Sequence, residues 1–426
     1  MIFFIRHRKI IVVLILVLFF TGDFIAHKIR VKVRKYSDFD CYYTAGKRFL
    51  NREDIYVSRD QQTSEFRYTP LFAAIMAGFA LVSEEKADIL WFILNYLLLV
   101  ISLVLTKKIV APCKTEPRSL YLLYGLSTIL SIRFILHTLD SGQVNILMMF
   151  SILAGLYCAS QNKDIVAGAL LGFSAMTKLT PVIFIPYFLL KKRIRLATMI
   201  AVSILIYFLF PALIIGWKNN FHYMRDFFPF LFQSTITEKS TLLDPQNQSL
   251  MSLILRTFTD PSTYYPNPLP MPYKFIPLKN INIKFLFLLL SGLIYLSVLL
   301  PARKSLSQRN MEGRNFCANI DYALLLICLV VFNLNAWRHN YIFLIFPYFL
   351  LIFYLIQVRF KDKYAIGGIL LAYLLSAITW RPFVSKELSS SLLLYSPYTL
   401  GALLIFVMLV KIKFQVDSCK VKGNTI

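Results

Sequence analysis

Side chains able to do chemistry are scarce in this chain, and they come in short polar clusters separated by apolar runs. The first is Ser37-Asp38-Phe39-Asp40-Cys41-Tyr42-Tyr43, followed along the chain by Tyr56, Arg67 and Tyr68. Its two acids carry the proton chemistry, because a general base must hold and release a proton at a water-accessible edge. The second is Ser141-Gly142-Gln143-Val144-Asn145, and the third is Lys178-Leu179-Thr180-Pro181. The fourth is Asn247-Gln248-Ser249-Leu250 with Arg256 beyond it, and the fifth runs from Asn335 to Asn340 and includes His339. Together they offer a carboxylate base, cations for a phosphate, amides for sugar hydroxyls, and aromatic faces for a sugar or an isoprenoid.

The elements that must position these clusters are membrane helices. The chain has 426 residues, 57% of them hydrophobic and 16% charged, with a mean hydropathy of +0.62. Apolar runs of about 20 residues recur, the length that crosses ~30 Å of hydrocarbon as a helix. They lack the alternation of a barrel strand, and lipid leaves the helix as the remaining way to satisfy the backbone. The expected fold is an all-α polytopic membrane protein, one integral-membrane domain over 1–426. Spans are expected near 10–26, 87–106, 119–136, 143–160, 164–177, 180–190, 195–216, 284–301, 319–335, 341–358, 364–379 and 392–411. Two of these, 164–177 and 180–190, are too short to cross without tilt or thinning. They read as one broken helix or a re-entrant pair around Lys178. The short run 70–83 is placed on the membrane surface.

The net charge of +24 reads first as basic flanks that set topology and touch anionic lipid. A share of it is available to attract a phosphorylated lipid or an anionic acceptor. Nucleic acid is excluded as a partner, since no soluble basic domain exists to hold it. The six cysteines show no close CxxC pair, so neither a zinc site nor a disulfide framework is indicated. The N-terminal Arg6-His7-Arg8-Lys9 and its apolar run read as an uncleaved first span, because no small-residue cleavage site follows. Lys and Arg then concentrate in alternate short loops, which puts both termini in the cytoplasm and all the polar clusters on the outer face. The basic run 28–35 goes against that orientation and is outvoted by the later loops. Two long segments, 27–86 and 217–283, emerge on the outer side. The lack of a cleavable signal or organelle address points to a bacterial inner (plasma) membrane.

With these clusters in order, the chain resembles the family 87 glycosyltransferases, a branch of the GT-C superfamily. The resemblance rests on Asp38-Phe39-x-x-Tyr42, Tyr56, Tyr68-x-Pro70 and Trp91. It continues through Gly142-Gln143-Val144-Asn145, Lys178-Leu179-Thr180-Pro181, Asn247-Gln248-Ser249-Leu250 with Arg256, and Trp337-x-His339. It covers about 36 to 350. Thr69 departs from it, standing where the family often has a second proline, and the spans are modest in glycine. The resemblance implies a bundle of about 11–12 helices with juxtamembrane helices at the outer face. It implies a polyprenyl-phosphate-linked sugar donor, mannose-like or arabinose-like, and a glycolipid or glycan acceptor. Known members include α-1,2-mannosyltransferases acting on phosphatidylinositol mannosides. Transfer is expected with inversion, without metal and without a cofactor.

Asp38 matches the family acid and is assigned as base. Lys178, Arg256, His339, Arg67 and Tyr68 are assigned to donor phosphate or sugar. Gln143, Asn145, Asn247, Gln248 and Asp40 are assigned to sugar or acceptor hydroxyls. Each has a structural alternative. Asp38 could cap a helix, and Asp40 could be the base or pair with the Arg34/Lys35 run. Lys178 could snorkel, and Arg256 could touch a headgroup. His339 could be a satisfied interfacial histidine. Gln143 and Asn145 could be interhelical glue, and the aromatics interface anchors. Asn247-Gln248-Ser249 also reads as a glycosylation sequon. Two other functions compete with transfer. One is a lipid-carrier flippase or transporter, which needs a polar pathway through the spans. The other is a polymerase or ligase joining glycan blocks, which an outer loop rich in Arg and His would favour.

Overall fold

The computed structural model of the protein describes residues 21–29, 37–57, 65–112, 115–232, 239–258, 282–300, 311–381 and 384–415. Among them the regular structure is helical and no strand occurs. Among the described residues five helices are long and apolar enough to cross a membrane: Glu84–Val110, Pro117–Asp140, Ile194–Ile215, Arg338–Gln357 and Pro397–Phe414. Shorter apolar helices accompany them, among them Asn145–Ser160, Asp164–Thr177, Thr180–Leu190, Ile283–Leu299 and Lys363–Ala377. This is the all-α polytopic membrane architecture that the hydropathy demands. Outward faces carry bare Leu97, Leu205, Leu288, Leu371 and Val407, for which hydrocarbon is the fitting solvent. Of the expected first span, 21–26 is helical, in a helix that continues to 29, while 10–20 and most of the basic run 28–35 lie outside the described residues.

The helices alternate in direction, so polar residues collect at one end and bases at the other. At the basic end Arg193 pairs with Asp164 at 2.5 Å and donates to the Ala159 carbonyl at 2.8 Å. Buried Asp321 takes Lys191 and Lys413 at 2.7 Å each. The helix Glu84–Val110 carries Glu84 and Glu85 in its first turn and Lys107 and Lys108 in its last, which complements its dipole.

The short run 70–83 holds one short helix. Its helix, Pro70–Phe79, has 10 residues, or about 15 Å at ~1.5 Å per residue. It lies on the helix Asp38–Asn51, where a Cβ on Gly46 would meet the Met76 carbonyl carbon at 2.5 Å. Tyr43 donates to the Val82 carbonyl at 2.9 Å, which keeps both ends of the run at the polar end of the bundle.

The ambiguous stretch 164–190 is a pair, not one broken helix. Asp164–Thr177 rises to Lys178, and a 3-10 turn Thr180–Ile183 leads into Phe184–Leu190 running back. The rising helix packs closely through Gly168 and Gly172, where added Cβ atoms would meet Met199 Cβ at 2.4 Å and Ser203 Cβ at 2.7 Å. This small-xxx-small spacing brings membrane helices together without a hydrophobic drive. Its 14 residues reach only about 21 Å, so the Lys178 apex is set below the full height of the longer helices.

Candidate active site

The first outer helix, Asp38–Asn51, starts on a capping box. The Ser37 hydroxyl accepts from Asp40 N–H, and the Asp40 carboxylate accepts from Ser37 N–H at 2.6 Å and from its hydroxyl at 2.8 Å. The cap is therefore Ser37 with Asp40, and Asp38 occupies the first helical position beside it. Asp40, offered from sequence as an alternative base and as a hydroxyl contact, has both carboxylate oxygens in the cap. The neighbouring Asp38 is half-buried. Its N–H donates to the Ser141 carbonyl at 3.2 Å.

That bond docks the outer helix on the loop ending Pro117–Asp140. The loop turns through Gly142, at φ +64, where a Cβ would lie 2.8 Å from Phe39 Cβ. A side chain is excluded both by the left-handed backbone and by Phe39. Trp91 donates its indole N–H to the Gly142 carbonyl at 2.7 Å, so two separate segments hold this turn. Gln143 follows, its side-chain oxygen accepting from Tyr42 OH at 3.0 Å. Tyr68 OH then donates to Tyr42 OH at 2.8 Å, and Tyr56 OH donates to the Tyr68 carbonyl at 3.0 Å. Burial raises the pKa of both Tyr42 and Tyr68, with the Asp38 charge adding to it. Both stay protonated at neutral pH.

Lys178 approaches from the helix apex. Its ammonium donates to the Asn340 side-chain oxygen at 2.9 Å. Burial lowers its pKa to about 8, and the Asp38 charge pulls it back up. The Asp38 carboxylate is thus close enough for its charge to act on the Lys178 ammonium. The same Asn340 oxygen receives the Asn145 and Asn333 amides at 3.4 Å each. Asn145 is fully buried, and its own side-chain oxygen has no partner. His339 stacks obliquely on His137 at 5.8 Å between centroids, and its Nδ1 has no partner. Two buried polar atoms without partners are what a hydroxylated ligand would satisfy.

The structure therefore brings together Asp38, Tyr68, Gln143, Asn145, Lys178 and His339, with Tyr42 and Asn340 added. Arg67 sits at the edge, its guanidinium on Glu65 at 2.7 Å. Asn340 was visible in sequence only as the last residue of the fifth cluster, and its bond to Lys178 spans 162 positions.

Asn247, Gln248 and Arg256 form a separate knot, and here the sequence assignment needs correcting. The Asn247 amide donates to the Thr241 and Leu334 carbonyls at 3.1 and 3.0 Å, and its oxygen accepts from Ser249 and Ala336 N–H at 3.1 and 3.2 Å. Gln248 donates to the Pro245 and Leu393 carbonyls at 2.6 and 2.8 Å and accepts from Tyr398 N–H at 3.4 Å. A primary amide has two donors and two lone pairs, so Asn247 has none left for a sugar and Gln248 has no donor left. Arg256 donates to the Asp244 and Asn247 carbonyls at 2.8 and 2.9 Å and to the Ser396 hydroxyl. The knot ties 241–256 to 334–336 and 393–399. The burial of Asn247 also closes the sequon reading.

Among the described residues one trio could approach a metal ion: Asp54, His222 and Asp226, with ligand atoms within 4.8 Å of one another. The Arg225 guanidinium already lies 2.9 Å from both His222 Nδ1 and Asp226, so a cation occupies that neighbourhood.

The family model for glycosyltransferase family 87 matches residues 66–314. Tyr68, Gln143, Asn145, Lys178 and Arg256 lie inside the match; Asp38 and His339 lie outside it. A polyprenol-phosphate-mannose-dependent alpha-(1-2)-phosphatidylinositol mannoside mannosyltransferase of Mycolicibacterium smegmatis is 26% identical over 205 residues. That stretch is 44% of this chain and 46% of the relative, so the chain is matched to about half the relative's length. No solved structure matches.

Proposed function

The chain belongs to glycosyltransferase family 87, and from that premise we propose that it is a membrane-embedded transferase. It moves a mannose-like sugar from a polyprenyl-phosphate donor to a glycolipid or glycan acceptor. The observation that carries the reading is the meeting of Lys178 and Asn145 on Asn340, beside the Ser141–Gln143 turn on which the Asp38 helix is docked, at one end of the bundle.

An acceptor hydroxyl loses its proton to the Asp38 carboxylate as its oxygen attacks the anomeric carbon. The bond from that carbon to the phosphate oxygen breaks, and its electron pair leaves with the polyprenyl phosphate. Attack from the side opposite the phosphate inverts the anomeric centre. Lys178 is positioned for the phosphate, where an ammonium stabilises the charge that develops on the leaving group. His339 Nδ1 and the Asn145 Oδ1 acceptor are open to sugar hydroxyls, and Tyr42, Tyr68 and Gln143 form a hydrogen-bonded wall beside them. Arg67 is assigned to the rim. Basic loops at the opposite end support cytoplasmic termini and a site at the outer face of a bacterial plasma membrane.

The test is transfer by purified protein with a panel of polyprenyl-phosphate sugars, comparing wild type with D38N. Consumption of a donor and its loss in D38N are expected. Lipid movement with no donor consumed overturns the enzyme reading, and full transfer by D38N overturns the base.

A further inference from the structure

We infer that Asn340 is a positioning residue, whose side-chain oxygen aims and holds the Lys178 ammonium toward the donor phosphate. The inference rests on the transferase reading for what Lys178 does, and on geometry alone for how it is held.

The orientation of the Asn340 amide is settled by its partners. A lysine ammonium only donates, so the atom 2.9 Å from it is the oxygen. A backbone carbonyl only accepts, so the atom 3.2 Å from the Asn335 carbonyl is the nitrogen. Asn340 N–H donates to the Trp337 carbonyl at 2.9 Å, which pins the residue in the 3-10 turn Arg338–Leu344. Around it Asn335 N–H donates to the Asn333 side chain at 3.1 Å, and the Trp337 indole donates to the Asn335 side chain at 2.7 Å. The Asn340 side chain is thus held on every side before Lys178 arrives. It is a fixed dipole with its negative end at the ammonium.

The ammonium needs such a partner. It reaches a partly buried position, where desolvation favours the neutral amine. The titratable groups whose charges bear on it are Asp38 and His339, the latter next to Asn340 in sequence. Asp38 is proposed to take a proton during transfer, after which it no longer balances Lys178. Asn340 is a neutral acceptor and keeps its pull throughout. A hydrogen bond to a charged group is stronger than one between neutral groups. Its removal should lower Lys178's affinity for a proton about tenfold, which is about one pH unit.

The experiment reads Lys178 directly in the full-length, substrate-free protein. Amine labelling with acetic anhydride across pH, followed by mass spectrometry of the Lys178 peptide, gives the midpoint of its titration. Wild type should titrate near about 8. N340A should move the midpoint down by about one unit, and the same-sized N340D should move it up by a similar amount. With a polyprenyl-phosphate donor, N340A should lower kcat and kcat/KM together about tenfold with KM within a few-fold, the pattern of a lost transition-state interaction. Should N340A fold poorly, the N340D arm alone decides. An unchanged midpoint in the folded variants overturns the inference. Absence of transfer by wild type strikes instead at the proposed function, and the midpoint still reports on Asn340.

Discussion

The N–H of Asp38 donates to the carbonyl of Ser141 at 3.2 Å, across more than a hundred residues of chain. One bond places the proposed base against the end of a membrane helix, next to the turn that carries Gln143. The turn at Gly142 is the weak point of this arrangement. Gly142→Ala forces a Cβ into a left-handed backbone and against Phe39. A loss of about 1–3 kcal/mol is expected from the conformation and the clash together. Transfer activity should fall further than thermal stability, because Asp38 moves with the turn. Melting curves beside donor turnover check this, and retained activity in a destabilised variant would break the link.

The two acids of the first cluster should separate cleanly. Asp38→Asn removes a base and leaves the capping box intact, so kcat should drop about 10²–10⁴-fold with the fold unchanged. Asp40→Ala removes half of the box and should cost about 1 kcal/mol of stability, with transfer within a few-fold of wild type. Paired turnover and melting measurements on both variants decide it.

Lys178 imposes a pH signature. In the free enzyme its pKa is about 8, against ~10.4 for a lysine in an unfolded chain. Between those values the unfolded chain binds more protons, so donor-free stability should rise with pH from about 8 to about 10. Below about 8 both states hold the proton and the full penalty of the buried ammonium is present. Donor binding runs the other way: kcat/KM for the donor should decline as pH rises through about 8 and the ammonium is lost. Lys178→Met should abolish both trends.

Arg256 is predicted to act on stability instead of catalysis. Arg256→Ala leaves the carbonyls of Asp244 and Asn247 without their guanidinium donors. A loss of at least about 2 kcal/mol is expected, with KM for the donor changed less than threefold in the protein that remains folded. A large KM effect at unchanged stability would return Arg256 to the donor site.

What the amino-acid sequence determined by itself is the helical membrane architecture and the separation of polar clusters from basic loops. These follow from hydropathy and charge, which add up residue by residue along the chain and are read from local composition. The members of the first three clusters were legible for the same reason, since a polar residue in an apolar run is conspicuous. Tertiary structure alone decided which of them do what. Asp38 and Asp40 differ by two positions, and only the hydrogen bonds of Ser37 show which one caps the helix. Asn145 and Asn247 are the same residue type in similar settings. One keeps an open acceptor because its neighbours are side chains at 3.4 Å, and the other is saturated by four backbone groups. Hydrogen-bond saturation depends on partners brought from distant parts of the chain, and no local pattern encodes it. Asn340 gains its place at the centre of the site in the same way, through a lysine that reaches it only once the bundle has formed.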